Sequence, residues 1–422
     1  MKTSYPRLAA ASFAAMLALC PLCAGGRPTL LPDSLAGSMM PYDFSRCDPP
    51  AVFADSLTPV YASYTARHGS RYLSGKKKVE KFASALAEAR EKGTITATGE
   101  AFSLFLDTLT HRTEGNWGAL SPLGTAEEKR LAAQAVEQFA PLTGKEATIS
   151  ATSTFVPRAV MTMYEFTHGI IRLNDNVSVA TDEGRANSPL LYFFDVDPDY
   201  DRFRSEGDWK QVYGEYVAAN VPGAPARRML GDIYDDLRMR ELTMELYGII
   251  QGNAAASLPA PTTQWMSAGE YRACWKASNL RHYLRNSVSP LSDLPAKAAT
   301  PLLLRIISDT DRALEERESA MDAYFGHAET LLPLFSLMEL PGCHTMTGDY
   351  ATLDREWRVQ DITPLAANLM MIILRGPSGA GYAALRLNGR NIRPLPDNAS
   401  TIVPWRELRE NWIRLIAEYN KL

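Results

Sequence analysis

The sequence predicts an α/β protein, a sheet flanked by helices into which a smaller, mostly helical domain is inserted. Three observations carry this reading. Short apolar strand patterns alternate with helical patterns up to about residue 198 and again from about 295, as in layered folds that cover a sheet with helices. Between 199 and 294 the strand patterns stop and helical spacing dominates, as in Leu242, Leu246, Ile249 and Ile250. The first strand runs directly into Arg67-His68-Gly69-Ser70-Arg71, and the crevice of an open α/β sheet lies beyond such strand ends. The expected parts are therefore a sheet domain (27–198 with 295–422), a helical insertion (199–294) and a removable leader (1–26).

The leader rests on Lys2 and Arg7, the apolar run Leu8 to Leu22 and the small residues Ala24-Gly25-Gly26, which together read as a secretory signal peptide. That run is shorter than the ~20 residues a membrane span needs, and no later segment qualifies. The expected location is extracytoplasmic, periplasmic or secreted, free or membrane- or vesicle-associated. Cys20 and Cys23 admit a lipid anchor, although Leu19 and Leu22 stand where a small residue would be expected. Losing the leader removes two positive charges, so the remaining chain is slightly more acidic than the formal −4. Such a balance offers no global field to nucleic acid. Cys47, Cys274 and Cys343 then remain, enough for at most one intrachain disulfide, so disulfides are not the framework. No feature specifies an oligomeric state.

Along the chain, a proline-rich lead reaches a strand at about Thr58 to Ala66, and Lys76-Lys77-Lys78 opens the next helix with Lys81 on its basic side. Thr125-Ala126-Glu127-Glu128 has the form of a capping box and precedes the apolar face Leu131, Ala135, Val136 and Phe139. Ala147 to Ser153 reads as a strand and about Val156 to Ile171 as a helix bearing Arg158; a third strand is expected at Pro189 to Asp195. After the insertion come a helix at about Pro301 to Glu316, a short strand at Ser319 to Phe325 and a helix from Thr330 to Met338. Asn368 to Leu374 is nearly all apolar, as a buried strand should be. Tyr382 to Leu387 and Asn391 to Pro394 form a hairpin through Asn388-Gly389, a type I′ sequence, and Trp405 to Tyr419 is a final amphipathic helix.

Chemistry concentrates at two strand ends. In the first, an imidazole stands between two guanidiniums, whose planar forks match pairs of phosphate oxygens, and glycine allows close approach of the backbone. In the second, His327-Ala328-Glu329 follows a strand and starts a helix, adding a second histidine and a carboxyl group. Asp195, Asp197, Asp199, Asp201 and Glu206 imitate part of a calcium loop, but Tyr200 stands where the sharp-turn glycine belongs, and the segment reads as an acidic connector. His111, His168, His282 and His344 lack paired-ligand spacing and read as structural or exposed.

An RHGxR motif near the mature N-terminus with HAE, not HD, in the C-terminal third resembles the multiple inositol polyphosphate phosphatase branch of the histidine acid phosphatases. Thr152-Ser153 followed by Arg158, the segment Gly118 to Gly124, Tyr192-Phe-Phe-Asp195 with Tyr200, and Leu387-Asn388-Gly389-Arg390 agree with it. The resemblance implies a histidine-phosphatase-type sheet and an exported phosphomonoesterase acting on inositol polyphosphates such as phytate. His68 would be the nucleophile, forming a phosphohistidine, and Glu329 the proton donor and later the base. Arg67, Arg71, Arg158 and His327 would bind the phosphoryl oxygens; Lys76, Lys77, Lys78 and Lys81 would hold distal phosphates or simply form a solvated face. The implied partner is a small polyphosphorylated molecule, and the scheme requires neither cofactor nor metal. General acid, sugar-phosphate and bisphosphoglycerate phosphatases share this chemistry; a non-catalytic phosphate-binding module would need the arginines but neither His68 nor Glu329, and export counts against a phosphotransferase or mutase.

Overall fold

The computed structural model describes residues 29–144, 146–259, 261–316 and 320–421; the expected leader, with Cys20 and Cys23, lies outside them. The first half of the sheet domain comprises β1 (Thr58–Arg67), α1 (Lys77–Glu91), α2 (Ala97–Thr113), α3 (Pro122–Gln138), β2 (Ala147–Ser153), α4 (Pro157–Leu173) and β3 (Val177–Asp182). A helical stretch follows: α5 (Ser188–Leu191), α6 (Pro198–Glu206), α7 (Trp209–Asn220), α8 (Ala224–Leu230), α9 (Asp236–Ile250) and α10 (Ala268–Asn286). The chain closes with α11 (Leu294–Glu316), β4 (Ala320–Gly326), α12 (Ala328–Leu337), α13 (Val359–Ile362), β5 (Asn368–Arg375), β6 (Gly381–Leu387), β7 (Arg390–Ile392), β8 (Ile402–Pro404) and α14 (Trp405–Asn420). The α/β class expected from the sequence is what the structure has.

The strands form one mixed sheet in the order β3-β2-β4-β1-β5-β6-β7, with β8 also paired to β6. β3, β2, β4 and β1 run parallel; β5, β6 and the two short strands are antiparallel. β1 is buried from Tyr61 to Arg67 because both faces are covered. Ala62, Tyr64 and Ala66 pack with Leu131, Met163 and Phe166 from α3 and α4. Tyr61 joins the opposite core with Leu302, Leu334 and Trp412 from α11, α12 and α14. A third core lies beside the sheet, where Phe82 and Phe102 of α1 and α2 pack with Leu242, Leu246 and Trp275 of α9 and α10. The helices that follow the RHGxR segment thus share a core with residues 229–277, although more than a hundred residues of chain separate them.

Two expectations change. Pro189 to Asp195 is not a strand: Pro189 sits in the first turn of α5, and Phe193–Asp195 is a 3-10 turn that buries Phe193 and Phe194. The strand beside β2 is instead β3, a half-exposed edge whose pattern is too polar to stand out. Further upstream, α3 begins at Pro122, capped by the Ser121 hydroxyl, which accepts from the Gly124 amide at 3.3 Å. Glu127 and Glu128 therefore lie inside the helix and are buried rather than capping it. The Asn388-Gly389 turn has positive φ at both residues (49° and 75°), as type I′ requires. Cys47, Cys274 and Cys343 are all free thiols.

The RHGxR segment leaves β1 and runs beside residues 118–121, Ser121 donating its amide to the Ser70 carbonyl at 2.8 Å. The approach is so close that a Cβ on Gly124 would stand 2.2 Å from the Ser70 carbonyl oxygen, which has no flexible side chain to give way. Gly124→Ala is expected to cost about 1–3 kcal/mol and to displace the Gly69-Ser70 backbone. Chemical denaturation measures the first effect; an unchanged midpoint would contradict it.

Candidate active site

Strand register assembles the site. Arg67 lies opposite Gly326 and Ser153 opposite Phe325, so three parallel strands end in one row. The residue after each strand continues the ladder: His68 donates its amide to Gly326 and Thr154 to Phe325, at 3.0 and 3.1 Å. His68, His327 and Thr154 therefore emerge together, the two imidazole rings 5.4 Å apart and edge to face.

His68 is held in one useful form. Its Nδ1 lies 3.0 Å from the Gly69 carbonyl, which can only accept, so Nδ1 carries the hydrogen and Nε2 keeps its lone pair. Burial pushes the imidazolium form far below its ordinary range, and Arg158, Arg67 and Arg71 add to that. The surrounding loop is tied down at each residue. The Gly69 amide donates to Thr162 Oγ1 at 3.1 Å, and Glu127 accepts from the Ser70 amide, the Ser70 hydroxyl and the Tyr42 amide at 2.7–2.9 Å. Gly69 itself allows this packing, because a Cβ there would stand 3.0 Å from Glu128 Oε1. Burial, with Glu127 and Glu165 nearby, raises the Glu128 carboxyl well above the usual range and keeps it neutral.

Three guanidiniums surround the imidazole. Arg67 Nη1 donates to the Ser38 and Thr363 carbonyls at 2.6 and 2.7 Å, and Arg71 Nη1 to the Tyr72 carbonyl at 2.8 Å. Arg158 reaches in from the first turn of α4, its Nη2 3.4 Å from His327 Nδ1. The Nε atoms of all three are buried without a partner. Burial lowers their pKa values, to about 10 for Arg67 and about 9 for Arg71, with Arg158 adding to both, and leaves them charged at neutral pH.

His327 faces this cluster but is engaged at both nitrogens. Nδ1 accepts from Arg158, so Nε2 carries the hydrogen and donates to Thr154 Oγ1 at 3.1 Å. Burial, then Arg158, lowers its pKa to about 3. As placed here, the ring orients Arg158. Glu329 sits in the first turn of α12. Burial alone would raise its pKa, but Arg204, His327, His282 and Arg67 outweigh that and hold the carboxyl well below the usual range.

A cleft of about 670 Å³ opens from Arg71 and is lined by Lys77, Lys78, Lys81, Arg281 and His282 among others. The lysines expected at a distal site separate here. Lys76 pairs with Glu114 at 3.0 Å, outside the cleft, while Lys81 reaches its wall but is engaged by Glu245 at 2.7 Å. Desolvation and the charge of Arg281 lower the Lys78 ammonium. Arg281 and His282 were not legible as site residues, since each joins the cleft only through long-range packing. The spacing of Arg281 and Arg285, four apart on a helix, was the only available signal. Of the acidic connector, Asp197 caps α6 by accepting from the Tyr200 amide at 2.8 Å, and Asp195 pairs with Arg204 at 2.9 Å.

No protein-family model matches the chain. Among solved structures, it is similar to the multiple inositol polyphosphate phosphatase of Bifidobacterium longum in complex with phosphate, with a TM-score of 0.77 and 17% identity over 92% of this chain and 98% of that one. The same phosphatase in complex with inositol hexasulfate gives 0.76 and 16%, over 89% and 97%. The phytase from D. castellii gives 0.66 and 14%, over 92% and 85%. At these identities the likeness establishes a shared fold, the one the motifs led us to expect.

The hydrogen-bond pattern makes a prediction independent of any reaction. Nitrogen NMR of the intact protein should find His68 neutral, protonated at Nδ1, at pH 5, because its folded-state pKa lies well below 6.5. A ring that takes up a proton between pH 7 and 6 would contradict the site as described.

Proposed function

We propose that the protein is an exported phosphomonoesterase that hydrolyses inositol polyphosphates, phytate foremost, through a phosphohistidine. One observation carries this reading: a neutral imidazole with Nε2 free lies among three guanidiniums, with a carboxyl group at the start of the facing helix. The fold shared with a multiple inositol polyphosphate phosphatase and a phytase supports the substrate class. Export rests on the leader pattern of residues 1–26.

Each group has a task. Arg67, Arg71 and Arg158 bring three guanidinium charges to the ring of His68, charges that a phosphoryl group would neutralise, so the charge needed in the transition state is already in place. The lone pair of His68 Nε2 attacks phosphorus; the P–O ester bond breaks, and the leaving alkoxide takes a proton from Glu329. Glu329 then removes a proton from water as its oxygen attacks the phosphohistidine, releasing inorganic phosphate and restoring the imidazole. In the free protein Glu329 is ionised, so the substrate must raise its pKa, which several phosphate dianions beside it would do. The remaining phosphates of the ring fit the basic cleft of Lys77, Lys78 and Arg281.

Expected outcomes are specific. His68→Ala should lower turnover of inositol hexakisphosphate by at least ~10³-fold, and Glu329→Gln by ~10²–10³-fold, in assays of phosphate release. The acid limb of kcat/KM should lie below pH 6.5, since His68 stays neutral there; a limb at or above 6.5 would contradict its role as nucleophile. Reversing charge at Lys78 or Arg281 should raise KM for inositol hexakisphosphate more than for a simple monoester. Equal effects on both would favour a general acid phosphatase.

A further inference from the structure

A second cavity, of about 370 Å³, lies apart from the catalytic crevice and shares no lining residue with the cleft. The division falls between two neighbours in the lead before β1: Met39 lines the cleft and Met40 the second cavity. Both are buried, and the backbone that carries them is held at each side. The Ser38 carbonyl accepts from Arg67 Nη1 at 2.6 Å, and the Met40 carbonyl from the Leu365 amide at 2.9 Å. The facing wall, α13 and the residues after it, is fixed as well. Asn388 Nδ2 donates to the carbonyls of Asp361 and Ile362, both at 3.0 Å, and the Thr363 carbonyl accepts from Arg67 Nη1 at 2.7 Å. The cavity is therefore built before a ligand arrives, as small-molecule sites usually are.

Its lining divides into an apolar floor and a charged mouth. Met40, Cys343, Ile362 and Leu387, each at most 7% exposed, form the floor. Gln360, 5% exposed, adds a polar point: its Oε1 accepts from Trp275 Nε1 at 3.1 Å, and its Nε2 has no acceptor among the described residues. Arg46, Arg355, Arg358 and Arg390 line the cavity together with three carboxylates, and each carboxylate is already engaged. Asp361 pairs with Arg46 at 2.6 Å and with Arg358 at 3.7 Å, Glu356 accepts from the Thr345 hydroxyl at 2.9 Å, and Asp43 accepts from the Ser45 amide at 3.0 Å. The side chains of Arg355 and Arg390 make neither ion pair nor hydrogen bond among the described residues.

Two uncommitted guanidinium forks match the paired oxygens of a carboxylate or phosphate head, and the buried floor favours apolar surface. An inositol polyphosphate, charged around its whole ring, suits the basic cleft and not this floor. We propose that the cavity is a second ligand site, which takes a small molecule with a single anionic head and an apolar body. Arg355 and Arg390 hold the head, and the body rests on Met40, Cys343, Ile362 and Leu387. This goes beyond the phosphatase reading and does not depend on it.

The test follows isotope-labelled methionine methyl groups of the full chain by NMR, with Met40 reporting on this cavity and Met39 and Met244 on the cleft. Met39→Leu, Met40→Leu and Met244→Leu assign the three signals. At neutral pH hydrocinnamate should move the Met40 signal saturably, with a Kd of about 1 mM or tighter, and leave the other two in place. Arg355→Gln combined with Arg390→Gln should raise that Kd at least ~10-fold at unchanged Tm, since both side chains are exposed and unpartnered. Hydrocinnamyl alcohol, which lacks the charge, and inorganic phosphate, which lacks the body, should each bind at least ~10-fold more weakly than hydrocinnamate. This pattern supports the proposal. A Met40 signal unmoved at about 50 mM hydrocinnamate, equal binding of the alcohol or of phosphate, or a Kd unchanged in the double variant overturns it. Inositol hexasulfate should move Met39 and Met244 instead; if it moves neither, the polyphosphate reading of the cleft falls and the second site stands.

Discussion

The constraint on which the rest depends is the crowding of three buried guanidiniums around one imidazole. Like charges in a poorly solvated crevice repel, and burial penalises each of them. The fold offsets this by bonding each arginine to fixed acceptors: Arg67 to the Ser38 and Thr363 carbonyls, Arg71 to the Tyr72 carbonyl, Arg158 to His327. On the proposed reading a tetrahedral oxyanion is the complement to this concentration of positive charge, while burial, reinforced by the same charges, keeps His68 neutral. In the proposed reaction one electrostatic condition would then serve both the anion site and the nucleophile.

Holding such a cluster requires rigidity beyond the strand ends. Glu127 gathers three donors from two segments, fixing the Ser70 loop and the N-terminal lead together. Ser38 extends this bracing: its carbonyl accepts from Arg67, while its hydroxyl lies 3.1 Å from His282 Nε2 on α10. The lead before β1, the motif loop and the helical layer thus meet at the arginines. Glu128, buried and neutral beneath Gly69, fills space that an ionised group could not occupy without a partner.

Much of this was legible in the sequence because it is local. The strand ending in Arg67-His68-Gly69-Ser70-Arg71 and the strand-to-helix join at His327-Ala328-Glu329 are short contiguous segments whose register then places them side by side. What escaped is long-range. Leu190 to Phe194 has the apolar density of a strand, yet its rings are consumed in packing on His327 and the surrounding core, and the chain turns instead. Arg281 and His282 escaped because only the packing of α10 on α7, α9 and α12 brings them to the cleft. The lysine run after the motif separates for the same reason, Lys76 meeting Glu114 while Lys77 and Lys78 turn into the cleft.

The most direct measurement is to quench the reaction of Glu329→Gln with radiolabelled 4-nitrophenyl phosphate, whose leaving group needs no proton from Glu329, on the millisecond scale and to map the label on the protein. Slowed hydrolysis of the intermediate should leave an acid-labile, alkali-stable phosphoryl group on His68, carried by Nε2. Phosphate release with no labelled protein at any time, or label on another residue, would contradict the central claim that the guanidinium cluster exists to present this imidazole to phosphorus.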